Sequence, residues 1–109
     1  MINIIVRKEF TDAPGPRYIY QGEYSGELFR NEYLIPKMKE ALEKKAKLFI
    51  DLDGTFGYPT SFLEESFGGL AEIYDKKVIL DTIIFKSDDE LGLIDEIKEY
   101  IVSDERKQK

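Results

Sequence analysis

A chain of 109 residues is one domain with room for a single hydrophobic core. Its 22 acidic against 16 basic residues leave a formal net charge of −6, a surface that repels phosphate backbones and anionic lipid, so neither nucleic acid nor a membrane is expected as a partner. Cysteine and histidine are both absent, which excludes disulfides, thiol nucleophiles, the usual zinc sites and every histidine-based triad.

Hydrophobic content of 42% and charged content of 35% are those of a soluble globular protein. No apolar run approaches the roughly 18–20 residues that span a bilayer. The N-terminus MINIIVRKEF has none of the three zones of a signal peptide. With no cysteine, the expected location is the cytoplasm.

In chain order, residues 2–6 (INIIV) read as a first strand, and the Pro/Gly cluster 12–16 as a turn. Residues 17–21 (RYIYQ) are β-prone and would pair antiparallel with the first strand as a hairpin. From Ser25, the expected N-cap, a helical pattern runs to about Lys47, with Leu28, Phe29, Leu34 or Ile35, Met38, Ala41, Leu42 and Ala46 on one stripe. Pro36 inside that pattern predicts a kink or two consecutive helices.

Leu48-Phe49-Ile50 then leads into Asp51-Leu52-Asp53-Gly54, an apolar run that reads as a central buried strand followed by a Gly/Pro loop. Ser61 and Glu64 have the spacing of a capping box, and the apolar positions from Phe62 to Tyr74 recur every three to four residues, predicting a helix over 61–74. Residues 78–85 (VILDTIIF) read as another buried strand. Ser87 and Glu90 form a second capping box before a last helix with Leu91, Ile94, Ile97 and Ile101 on one face. The expected order is β-β-α-β-α-β-α: an α/β domain over residues 1–102 with a four-stranded mixed sheet and three helices, then a polar tail, 103–109.

Polar groups at the carboxyl end of a central strand sit where open α/β sheets usually bind their ligands and partners. Asp51 and Asp53 admit a purely structural reading, as side chains that hydrogen-bond nearby backbone N–H groups at a strand end. A buried Asp51 would need donors or a cation. Arg30 would supply an ion pair to one of them or bind an anion. Phe56 and Tyr58, on the loop, would form an apolar docking patch. Gly68-Gly69 within a helix points to close packing.

Asp51-x-Asp53-Gly54-Thr55 after an apolar strand resembles the first motif of haloacid-dehalogenase-type phosphohydrolases. That resemblance implies Asp51 as nucleophile, Asp53 as acid/base and Mg²⁺ as cofactor, with Thr82 or Ser87, Lys86 and Asp88-Asp89 as later motifs. Such motifs usually begin a chain of several βα units, whereas here one strand remains to follow.

A broader resemblance runs through Ser25-Gly-Glu-Leu-Phe-Arg30, the strand 48–53 and Thr60-Ser-Phe-Leu-Glu-Glu-Ser-Phe-Gly-Gly69. These segments are similar to the STAS-like family of small bacterial domains, itself similar to the STAS domains of anti-anti-sigma factors. The resemblance implies a non-enzymatic signalling and protein-interaction module with no cofactor. In the anti-anti-sigma proteins a histidine-kinase-like (GHKL) ATPase phosphorylates a hydroxyl at the start of this helix. Aligned without a gap, Thr60 and Ser61 become the candidate phospho-acceptors, with Pro59 in place of the aspartate and Phe62 in place of the glycine. The implied partner surface is Phe56, Tyr58, Thr60, Ser61 and Glu64, and a homodimer is left open.

Overall fold

The computed structural model describes residues 1–108. Its frame is a sheet of three parallel strands in the order β1-β2-β3: β1 (Ile2–Ile5), β2 (Leu48–Asp51) and β3 (Ile83–Lys86). Between β1 and β2 lie α1 (Val6–Glu9), a 3-10 turn (Ile19–Gln21) and one long helical rod. The rod consists of α2 (Gly26–Phe29), a π-helical turn (Arg30–Leu34) and α3 (Ile35–Lys44). Between β2 and β3 come α4 (Thr60–Leu63), a second π turn (Glu64–Gly68) and α5 (Lys76–Thr82). After β3 follow α6 (Leu93–Val102) and a 3-10 turn (Glu105–Gln108). Among the described residues no helix is long and apolar enough to cross a membrane.

The register Ile2↔Leu48↔Ile83 and Ile4↔Ile50↔Phe85 puts one apolar row of each strand on the same face. Strand side chains alternate faces, so these rows pack together under the helices. Phe29 of α2, Phe62 of α4 and Phe67 of the second π turn fill the space above them, with Phe29–Phe62 ring centroids 5.7 Å apart. The opposite face carries Asn3, Phe49 and Ile84 and is partly open.

The expected four-stranded mixed sheet with three helices is corrected at two places. Residues 17–21 do not form a strand. Pro16 and Arg17 instead spend their carbonyls on the first N–H groups of α2, accepting from Gly26 and Glu27 at 2.9 and 3.0 Å. Tyr18 N–H donates to Gln21 Oε1 at 2.9 Å, closing a local turn. The first strand pairs with β2 instead, and the antiparallel hairpin is lost.

The second correction is the run 78–85, which divides between α5 and β3. Asp75 caps α5, its side chain accepting from Lys77 N–H at 2.9 Å. Only Ile83 onward is extended. An eight-residue apolar run satisfies helix and strand periodicity about equally, and burial decides between them.

Two helix starts also move. Pro59, not Ser61, occupies the cap of α4, so Ser61 lies inside the first turn and Glu64 turns away to arginines. Gly92, in the left-handed region, caps α6, while Ser87 Oγ donates to its own loop at the Glu90 carbonyl, 3.1 Å away. The long rod changes pitch at the π turn just before Pro36, which sits in the first turn of α3 where a missing N–H is harmless. Ser25 does cap α2, accepting from Leu28 N–H at 3.0 Å.

Candidate functional site

Because the strands are parallel and in step, Ile5, Asp51 and Lys86 end side by side at one edge of the sheet. The chain turns over that edge after each strand, so Arg7 Nη1 reaches the Asp53 carbonyl at 3.3 Å and the turn after β3 meets the Asp53 carboxylate. This is the carboxyl edge at which open α/β sheets place their working loops.

Both aspartates are held by the protein. Asp51 Oδ1 accepts from Asp53 N–H at 3.0 Å, and Asp51 Oδ2 pairs with Arg7 Nη1 at 3.1 Å. Asp53 Oδ1 accepts from the N–H groups of Asp88 and Asp89 at 2.8 and 2.9 Å, and Asp53 Oδ2 pairs with Lys86 Nζ at 2.5 Å. Burial pushes the Asp53 carboxyl up, but the Lys86 ammonium and the two N–H donors outweigh it and hold its pKa below the usual carboxylate range. Lys86 is raised in turn, chiefly by its hydrogen bond to Asp53.

The loops after β2 and β3 are thereby clamped together. Gly54 N–H donates back to Asp89 Oδ2 at 2.8 Å. Gly54 has φ +81°, and a Cβ there would lie 2.2 Å from Arg7 Cδ, so glycine both permits the turn and admits the arginine. Tyr58 is half-buried; its hydroxyl donates to the Leu52 carbonyl at 2.8 Å, and burial drives its pKa upward. Phe56, by contrast, points outward and is 88% exposed, with its N–H tied to the Asp12 carbonyl at 2.8 Å.

Thr60 is exposed and Ser61 half-buried at the start of α4, beside the loop that carries Phe56. The Tyr100 phenol of α6 donates to Glu96 at 2.8 Å. Of the expected partner surface only Phe56 and Thr60 are exposed; Tyr58 packs against the core with its hydroxyl on Leu52, Ser61 is half-buried, and Glu64 is engaged by Arg17 and Arg106.

Arg30 stands apart from the aspartates. It pairs with Glu65 at 2.5 Å and also donates to the Glu65 carbonyl at 2.9 Å, so the pairing expected with Asp51 or Asp53 is corrected. Arg30 opens the first π turn and Glu65 lies in the second, where the two helical rods face each other. Arg17 and Arg106 complete the cluster: Arg17 pairs with Glu64 and Glu65, and Arg106 with Glu64 at 2.8 Å and Glu72 at 2.9 Å.

Gly68 and Gly69 make room for this lattice. A Cβ on Gly69 would meet Arg30 Nη1 at 2.5 Å, and one on Gly68 would meet Arg106 Cδ at 3.2 Å. The glycine pair therefore serves arginine side chains laid across the helix. Sequence reasoning missed Arg7 and Arg17; the signal for Arg7 was its place two residues beyond a strand parallel to the Asp51 strand.

No curated protein and no solved structure matched the chain. A model of the family described as a STAS-like domain of unknown function matches residues 25–93, from the cap of α2 to the start of α6, which is well over half the chain. The matched span contains the clamped aspartates, the exposed loop and both π turns, and the chain belongs to this STAS-like family.

Proposed function

We propose that the protein is a non-enzymatic interaction module that docks another protein through the loop 54–59 and the first turn of α4. The observation that carries this reading is the contrast between neighbours at one sheet edge. Asp51 and Asp53 spend their carboxylate oxygens on Arg7, Lys86 and three backbone N–H groups, whereas Phe56 a few residues on is held out into water. A nucleophilic or metal-ligating carboxylate needs a lone pair facing its substrate or ion. An exposed aromatic on a braced loop is the usual anchor of a protein contact.

We read the partner as an ATPase of the histidine-kinase-like class and Thr60 or Ser61 as the modified hydroxyl, on the resemblance of segments 25–30, 48–53 and 60–69 to the STAS domains of anti-anti-sigma factors. Phosphate there would face the N–H groups that open α4 and add roughly −1.5 to −2 charges beside Phe56, enough to change docking. The phosphohydrolase alternative is less well supported, because Lys86 and the Asp88-Asp89 backbone bond Asp53 rather than leaving a cleft over Asp51.

The test is capture from cell extract with the wild-type chain and with Phe56→Ala. One protein should be retained by the first and lost from the second, and the partner with ATP should add a single phosphate at Thr60 or Ser61, read by intact mass. Mg²⁺-dependent turnover of a simple phosphate ester that disappears in Asp51→Asn would overturn the reading.

A further inference from the structure

We infer that the face carrying Phe56 and Leu91 docks a basic protein surface that offers an apolar socket. The inference deepens the proposed interaction role and rests on it. Phe56 is 88% and Leu91 96% exposed, two large apolar side chains held out on different loops. Each rims a crevice, of about 160 and about 270 Å³, and the two crevices share Ser87 and Glu90. Together they make one continuous surface across the carboxyl edge of the sheet.

The surface is braced. Asp53 Oδ1 holds the Asp88 and Asp89 N–H groups, Gly54 N–H holds Asp89 Oδ2, and the Asp12 carbonyl holds Phe56 N–H. A partner therefore does not have to order these loops, which leaves more of the contact energy for affinity.

Charge decides which partner fits. Asp53, Asp89, Glu90 and Asp95 line the crevices, and among the described residues neither lysine nor arginine does. Lys86, at the edge, is already paired with Asp53 and Asp88. With a net charge of −6 overall, this face repels a second copy of the chain, a phosphate backbone and an anionic bilayer. A cationic protein surface is the complement, with charge steering the encounter and the apolar pair supplying the contact.

The experiment titrates the isotope-labelled chain with a designed amphipathic helical peptide of leucine and lysine, and in parallel with its leucine and glutamate counterpart. The lysine peptide should bind, shifting the amides of residues 55–58 and 87–94, and its affinity should fall about tenfold or more between about 50 and about 500 mM salt. Phe56→Ala and Leu91→Ala should each weaken it about fivefold or more. Glu90→Lys with Asp95→Lys should weaken it about tenfold. All four substituted side chains are exposed, Asp95 in the first turn of α6 and the others on loops, so the unbound amide spectrum should keep the dispersion of the folded chain. Equal binding of both peptides, binding of neither, or shifts gathered on Asn3, Phe49 and Ile84 would overturn the inference. Weakening by Phe56→Ala with no effect of the charge reversals would overturn it too, while leaving the interaction role of the loop intact.

Discussion

At the scale of single residues, Asp53 organises more of the molecule than its place in a short loop announces. Three donors converge on it from β3 and the turn that follows. Asp53→Ala would leave two N–H groups of the exposed turn after β3 without their acceptor and Lys86 with Asp88 alone; the two lost N–H bonds cost about 1–2 kcal/mol. Asp53→Asn keeps one oxygen for the two N–H groups and should cost about half as much. Urea unfolding measures both; equal stability of the wild type and Asp53→Ala would refute the clamp. Phe56→Ala, exposed and outside this network, should leave stability within about 0.5 kcal/mol. That a buried Asp51 would need donors or a cation was legible from its place in an apolar run, and it has both, Asp53 N–H and Arg7. The cation's identity was not, because Arg7 is 44 residues away and meets Asp51 through strand pairing.

At the scale of elements, the cap at Ser25 was readable because it is local: the oxygen and the N–H it accepts from lie three residues apart. Ser25→Ala should cost about 1 kcal/mol or somewhat more, since Ser25 is fully buried and water cannot replace the bond. Gly26 beside it has a non-local reason. A Cβ there would stand 2.5 Å from the Phe62 carbonyl oxygen and 3.0 Å from Phe62 Cα, both main-chain atoms of α4. Gly26→Ala should therefore destabilise by about 2 kcal/mol or more despite alanine's better helix propensity, seen as a lower thermal midpoint. An unchanged midpoint would mean that α2 and α4 can separate freely. The run 78–85 was misjudged for the same kind of reason, since where α5 gives way to β3 depends on what β2 offers for pairing.

Across the whole molecule, the arginine and glutamate lattice ties the segment before α2 and the segment after α6 to the second π turn. Burial pushes the Glu64 and Glu65 carboxyls up, but the arginines prevail and hold both below their ordinary values, as Lys86 does for Asp53. A carboxyl whose pKa is depressed by folding adds stability that is complete above its unfolded pKa and is lost as pH falls through the folded one. With no histidine to titrate, the urea midpoint should stay flat from about pH 5 to about pH 8 and drop below about pH 4.5. Arg106→Gln should soften that acid drop. A steep slope between about pH 6 and about pH 8 would contradict this account.

What the sequence determined by itself was local: two of the three strands, the Ser25 cap, the long helix with its break near Pro36, and the place where polar groups would gather at the end of the Asp51 strand. These follow from periodicity and hydrogen bonds within a few residues, which need no knowledge of the rest of the chain. Only the tertiary structure decided that the sheet is parallel throughout, that residues 17–21 serve the start of α2, and that Arg30 meets Glu65 while Arg7 meets Asp51. Each of those depends on a partner remote in sequence. A β-prone segment or a lone arginine carries the capacity to pair, and the packed fold selects the partner by leaving it within reach.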